Sequence, residues 1–95
     1  MVSFTVNNTI INNVVLDSDK RFFLKDGQIL NSLEDLFQEL QVMENHVFEH
    51  HVNSEKNDFA NWIGDVFGDK FLAKNVQLAK DKDATLKLLF MNLFK

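Results

Sequence analysis

The sequence lacks cysteine and proline, and it contains only three glycines, Gly27, Gly64 and Gly68. Without cysteine there is no disulfide scaffold, no zinc ribbon and no thiol nucleophile, and the absence fits a reducing compartment. Three scattered glycines form no phosphate-cradling loop. Because proline removes a backbone hydrogen-bond donor, its absence leaves every β-strand free to pair.

Length and composition predict one domain that spans residues 1–95. Ninety-five residues are enough for one domain and too few for two, and 45% of them are hydrophobic, which is typical of a globular protein. A chain of this size buries well under three quarters of its surface, so self-association is a realistic way to gain stability.

A basic excess, which general nucleic-acid binding requires, is also missing, because the net charge is −4. Residues 21–58 carry three bases and eight acids, whereas residues 59–95 carry six bases and four acids. Nucleic-acid or ribosome association therefore ranks as a minor alternative. It would use five lysines of the C-terminal helices: Lys70, Lys74, Lys80, Lys82 and Lys87.

Nothing in the sequence predicts membrane association. The first 13 residues have neither the basic nor the apolar part of a secretory signal. The most apolar stretch, residues 86–94, is interrupted by Lys87 and Asn92 and is too short to cross a bilayer. We expect a soluble, cytoplasmic protein.

Hydrophobic periodicity changes from β-like to helical near residue 31. Alternating Val2, Phe4 and Val6 predict a strand, followed by a turn at residues 7–8. The β-branched pairs of residues 10–11 and 14–15 form either one bulged strand or two short strands. Residues 21–30 predict a β-hairpin, in which Asp26-Gly27 fits a type I′ turn.

From residue 32 onward, apolar residues recur at helical spacing, and each segment begins with a polar capping residue. Ser32 followed by Asp35 resembles a capping box, and Asn57 or Asp58 and then Asp69 can begin later helices. Gly64 inside a helical segment predicts close approach of another element. The fold class is therefore α+β, with short strands and a hairpin (about 2–30) packed on four to five helices (about 32–95).

Ten phenylalanines divide into predicted core residues and a remainder. Those on helical stripes are assigned to the core: Phe37, Phe59, Phe67, Phe90 and Phe94. The last helix is apolar over more than half of its circumference, so one side either lies between two layers or faces a partner. The remaining apolar residues form the candidate interaction surface: Phe22, Phe23, Phe71, Leu88 and Met91.

Three clustered histidines are the only candidates for a metal site. His46 and His50 share a helix face, but their order differs from the His-Glu-x-x-His motif of zinc proteases. We predict no bound metal and no other cofactor. A small-molecule or metal site centred on His46, His50, His51 and Asp58 remains an alternative.

Enzyme activity is not expected. Cysteine is absent, no serine lies in a Gly-x-Ser-x-Gly turn, and the paired carboxylates lie at predicted helix starts or on solvent-facing sides. We predict no catalytic residues.

One stretch is more specific than these patterns. It reads Phe48-x-x-His51-Val52, then Asn57-Asp58-Phe59-x-x-Trp62-Ile63, then Asp69-x-x-Leu72-Ala73. It resembles a widespread prokaryotic family of small, uncharacterised domains, over residues 22–76. The family implies no activity, substrate or cofactor.

The resemblance directs attention to His51, Asn57, Asp58 and Trp62. A His–Asp or His–Asn network at a helix junction would stabilise one geometry, because an unpaired buried partner is costly. The alternative is a ligand pocket lined by the same residues. The sequence as a whole favours a small, non-catalytic protein-interaction module that contacts a protein partner or a second copy of itself.

Overall fold

The computed structural model describes the strand residues 10–11 and 14–15 and the continuous segment 17–94. Within these residues, two short β-hairpins precede five α-helices, which confirms the predicted α+β class. The predicted strand at Val2, Phe4 and Val6 and the turn at residues 7–8 lie outside the described residues.

The first hairpin pairs β1 (Ile10–Ile11) with β2 (Val14–Val15) in antiparallel orientation. Ile10 lies opposite Val15, and Ile11 lies opposite Val14. Of the two arrangements that the sequence allows, the structure therefore has two short strands and not one bulged strand. A single 3₁₀ turn, Ser18–Lys20, leads to the second hairpin.

The second hairpin, predicted at residues 21–30, pairs β3 (Phe22–Phe23) with β4 (Ile29–Leu30). The side chain of Leu30 is almost fully buried, whereas Phe23 is 58% exposed. The hairpin therefore turns one side toward the helices and leaves Phe23 on the other side.

The turn of this hairpin differs from the predicted type I′. Leu24 closes a three-residue loop, because its N–H donates to the Gln28 carbonyl (2.8 Å) and its carbonyl accepts from the Gly27 N–H (3.0 Å). Gly27 has a φ of 97°, but Asp26 has no positive φ, whereas a type I′ turn needs positive φ at both central residues. Asp-Gly also fits a type I turn followed by a left-handed glycine, and this is the form observed.

The five helices have well-defined bounds: α1 Leu33–Val42, α2 Asn45–His51, α3 Asp58–Val66, α4 Lys70–Ala79 and α5 Lys82–Leu93. Four of them begin with a side-chain cap on a first-turn amide, and the capping residues are Ser32, Asn57, Asp69 and Asp81. At α1, Asp35 also accepts a hydrogen bond from the N–H of Asn31 (2.9 Å), the residue before the N-cap, so the start resembles a capping box but closes on Asn31 and not on Ser32.

Helices α1 and α2 are separate, because Met43 and Glu44 between them have extended backbone. The Lys82 ammonium group at the start of α5 donates to the Met43 carbonyl (2.6 Å). The Lys82 side chain thus gives a hydrogen-bond donor to a carbonyl group that has no helical partner at the end of α1.

Helix α3 lies at the centre of the core. Phe59 and Ile63 have no measurable exposure, and Trp62 is 7% exposed. A Cβ placed on Gly64 would lie 3.3 Å from the Ala73 Cβ of α4, so the two helices approach closely at this glycine. This confirms the close approach predicted from a glycine inside a helix.

Helix α5 contacts both α1 and α4, and its buried side contains Thr85 and Leu89. Phe90 and Phe94, which their helical spacing assigns to the core, are each 54% exposed. That assignment was wrong, because α5 is rotated so that Thr85 faces inward. The hydroxyl group of Thr85 can be buried since it donates to the Asp81 carbonyl (2.7 Å).

Candidate functional site

His51, at the end of α2, is the buried titratable residue at the centre of the predicted motif. It is 5% exposed and lies between aromatic rings. The ring centroids of Phe22 and Phe59 are 5.0 and 5.4 Å from that of the imidazole. Since a polar ring in such surroundings needs hydrogen-bond partners, its two nitrogens define what the site can do.

Both ring nitrogens of His51 have a partner. The backbone N–H of Lys25, in the hairpin turn, points at Nε2 (3.1 Å), and Nδ1 lies 2.9 Å from Oδ2 of Asp58. Because an amide N–H can only donate, Nε2 must accept, and the ring proton is therefore on Nδ1, where it is donated to Asp58. This is the neutral imidazole. We call His51, Asp58, Lys56 and the Lys25 amide the His51 junction.

Asp58 receives two donors on one oxygen. The Lys56 ammonium group lies 3.1 Å from the same Oδ2 that accepts from His51. Partial burial acts to raise the pKa of Asp58, but the hydrogen bonds from His51 and Lys56 outweigh it, so that its pKa lies below the usual 3.8. The carboxylate form is therefore the one that the junction stabilises.

Replacement of Asp58 tests whether the His51 junction stabilises the fold. In Asp58→Ala the buried Nδ1–H of His51 loses its acceptor, and we expect a loss of about 1–3 kcal/mol, or about 4–8 °C in Tm for each kcal/mol. Thermal unfolding followed by circular dichroism measures this loss. Asp83→Ala, at an exposed carboxylate of α5, is the matched control.

The same variant has a defined pH dependence. Folding lowers the pKa of Asp58. The stability that Asp58 contributes is therefore fully present above its pKa in the unfolded chain, near 3.8, and is lost as the pH falls through its lower pKa in the folded protein. The difference in Tm between the parent and Asp58→Ala should therefore shrink below about pH 4. A parent and variant with equal Tm at pH 7 would contradict a structural role.

Asn57, not Asp58, caps α3, and its side chain is 2% exposed. Its Oδ1 accepts from the Ala60 N–H (3.0 Å), and its Nδ2 donates to the Val76 carbonyl of α4 (3.1 Å). One buried amide thus fixes the start of α3 and joins it to α4. The choice between Asn57 and Asp58 that the sequence left open is resolved, since Asp58 instead binds His51.

Trp62 connects α3 to the segment before the hairpin. Its indole N–H donates to the Lys20 carbonyl (2.8 Å), and Phe22 packs edge-on against its ring at a centroid distance of 5.4 Å. Of the other motif residues, Ile63 and Leu72 are buried. The structure therefore brings the predicted motif together as a packed and hydrogen-bonded junction, in which the polar atoms of His51, Asn57 and Trp62 bind groups of the chain itself.

The other two histidines are surface residues. His46 pairs with Glu44 (3.0 Å), and both side chains are mostly exposed. The pKa of His50 is lowered, first by desolvation and then by repulsion from the protonated form of His51 and from Lys25 and Lys56, against a smaller raising effect of Asp58. Such neighbours also repel a metal cation. In residues 17–94 and the two described strands, no group of three His, Asp or Glu side chains is placed to hold a metal ion.

Three of the five C-terminal lysines bind groups of this chain. Lys70 donates to the Gly64 carbonyl (3.0 Å), Lys82 donates to the Met43 carbonyl, and Lys87 lies 3.8 Å from Asp83. Their ammonium groups are thus directed to different parts of the fold. This arrangement gives no support to one continuous basic surface.

An apolar surface extends along both sides of α5. The groove between α1 and α5 has a volume of about 370 Å³, and the groove between α4 and α5 has a volume of about 380 Å³. Met91 borders both grooves. We call this surface the α5 strip and define it by seven residues: Phe37, Phe71, Leu86, Leu88, Phe90, Met91 and Phe94.

The strip contains three of the five residues predicted as an interaction surface. Phe71 and Met91 are 79% and 66% exposed, and Leu88 is partly buried beside them. Phe23 is exposed on the hairpin, whereas Phe22 packs against His51, Phe59 and Trp62 and does not belong to a free surface.

The side of the α5 strip that faces α1 was not predicted from the sequence. Phe90 and Phe94 pack against Phe37 at centroid distances of 6.1 and 5.6 Å, and all three rings are accessible. The available signal was the apolar character of α5 around most of its circumference, which indicates that one apolar side must stay outside the core.

Models of known protein families, curated proteins and solved structures give no match to this chain. The resemblance of residues 22–76 to a prokaryotic domain family therefore stays a prediction. Among the described helices, none is long and apolar enough to cross a membrane.

Proposed function

We propose that this protein is a small, non-catalytic assembly module that pairs with a second copy of itself through the α5 strip. The observation that supports the proposal is the strip, because large apolar side chains are exposed together there while the polar atoms of the motif serve the fold. An exposed apolar patch of this kind on a small domain is typical of an interaction site.

The area of the strip is sufficient for such pairing. Phe71, Phe90, Met91 and Phe94 are each between 54% and 79% exposed. With about 150–250 Å² per large side chain, these four expose roughly 500 Å². A stable interface takes about 800 Å² from each partner, so these four side chains alone supply more than half of it. Phe37, Leu86 and Leu88 add further area.

The charge of the strip favours a second copy as its occupant. In a two-fold interface the same patch of both subunits is in contact, so an unpaired charge in the patch would lie near the identical charge of the second copy. Among the residues that the structure describes, Lys87 is the one charged side chain that lines the two grooves, and it lies 3.8 Å from its own Asp83. Two strips can therefore meet without an uncompensated repulsion, although the whole chain has a charge of −4.

Met91→Glu tests the proposal, because Met91 borders both grooves. We expect sedimentation equilibrium to show a concentration-dependent dimer for the parent. In the variant a carboxylate would be buried in the apolar interface, and we expect its dimer Kd to rise by about 100-fold or more. Because Met91 is exposed in the single chain, far-UV circular dichroism should not change.

Val42→Glu is the matched control, since Val42 is 75% exposed but lines neither groove. It should dimerise like the parent. A parent that remains monomeric at every concentration contradicts pairing with a second copy, and so does a Met91→Glu variant that dimerises as strongly as Val42→Glu.

A further inference from the structure

The imidazole of His51 joins the hairpin turn, 26 residues earlier in the chain, to the start of α3, 7 residues later. Its Nε2 accepts from the Lys25 N–H in the hairpin turn, and its Nδ1–H donates to Asp58 in α3. Only the neutral ring with the proton on Nδ1 makes both bonds. We propose that His51 is a proton-operated clasp: the neutral imidazole holds the hairpin turn, and an imidazole that gains a proton on Nε2 releases the turn.

The release follows from the hydrogen-bond chemistry of Nε2. A proton on this nitrogen converts an acceptor into a donor that faces the donor N–H of Lys25. His51 is 5% exposed, so water cannot readily take the place of the lost partner. Either the ring or the turn must move, and the turn is the part with less burial.

Opening can remain local because of the way the hairpin is buried. Lys25, Asp26, Gly27 and Gln28 are exposed, whereas Leu24 before them is 4% exposed. The turn can therefore move away from His51 while Leu24 stays in the core. Leu30, on the other strand, is also buried.

The charges around His51 determine whether its protonated form is accommodated. Asp58 of α3 attracts an imidazolium, but its Oδ2 already binds the Lys56 ammonium group from the α2–α3 connection. His50 of α2 lies beside the ring, with a centroid distance of 4.8 Å, and Lys25 belongs to the turn itself. The carboxylate of Asp58 therefore already balances the charge of Lys56, so a positive His51 ring has no anion to itself.

Nitrogen NMR of the His51 ring and hydrogen exchange of the Lys25 amide test the clasp in the unmodified protein. At about pH 7.5 we expect the Nδ1–H tautomer and a protected Lys25 amide. As the pH is lowered until the ring signals show a protonated His51, we expect the Lys25 protection factor to drop by tenfold or more. The Ala60 amide, bound to Asn57, should stay protected, which separates turn opening from global unfolding.

Two variants complete the test. His51→Gln carries a permanently neutral acceptor, so its Lys25 amide should show no such drop, whereas His50→Gln, at the exposed neighbour, should respond like the parent. The Nε2–H tautomer at neutral pH would overturn the proposal, and so would a Lys25 amide that stays protected while His51 is protonated. Both of these outcomes are read from the parent, so the test does not depend on the folding of His51→Gln.

Discussion

Phe59→Ala should be among the most destabilising truncations to alanine in this protein, with an expected loss of about 3–5 kcal/mol. Phe59 has no exposed surface, and its ring packs against Phe22, Phe48 and His51 at centroid distances of 5.0, 6.0 and 5.4 Å. Truncation removes this contact area and leaves a cavity where the hairpin, α2 and α3 meet. Urea unfolding followed by circular dichroism measures the loss.

Phe71→Ala is the matched control, because it removes the same ring from a side chain that is 79% exposed. At a concentration where the protein is monomeric, we expect its free energy of unfolding to change by less than about 0.5 kcal/mol. Equal losses for the two variants would contradict the assignment of Phe59 to the core and of Phe71 to the surface.

Asn57→Ala should also be strongly destabilising, with an expected loss of about 1.5–5 kcal/mol. It removes the cap of α3, which is worth about 0.5–2 kcal/mol, and leaves the buried Val76 carbonyl without its Asn57 partner, which costs about 1–3 kcal/mol. Thermal and urea unfolding at neutral pH measure the sum of these two effects.

Asp81→Ala separates the two effects, since Asp81 is an exposed cap that accepts from the Ala84 N–H (2.7 Å). This variant loses a cap and nothing else, so it should be clearly less destabilising than Asn57→Ala. Asn57→Asp keeps an acceptor for Ala60 but loses the donor to Val76, and it should also be less stable than the parent. The interpretation fails if Asn57→Ala is no more destabilising than Asp81→Ala.

Local patterns predict most of the helical fold. The caps at Ser32, Asp69 and Asp81 are short-range features, in which a side chain binds an amide three residues later, and so they can be read from the sequence. The hairpin turn type could not be read in this way, because Asp-Gly is compatible with more than one turn.

The orientation of α5 could not be predicted from periodicity. The helix has apolar residues on more than one side, so the spacing of Leu86, Leu89 and Phe90 does not determine which side is buried. Thr85 and Leu89 form the buried side, because the Thr85 hydroxyl finds an acceptor within its own helix. A pattern that counts only apolar residues does not predict that Thr85 is buried.

The candidate site was predicted in part. A His51–Asp58 contact is expected from the sequence, because the two polar residues lie at the two ends of one short connection. The third partner is the backbone amide of Lys25, and a backbone group carries no residue-type signal. Only the three-dimensional packing of the hairpin shows that His51 accepts from it.

The hydrogen bond from the Trp62 indole N–H to the Lys20 carbonyl has a consequence for synthesis of the chain on the ribosome. The two residues are 42 positions apart, so the segment before the hairpin is made well before the helix that holds it. At about 5–20 residues per second, the delay is roughly 2–8 s. During that interval Phe22 has no Trp62 to pack against, so the buried side of the nascent hairpin stays uncovered until α3 is made.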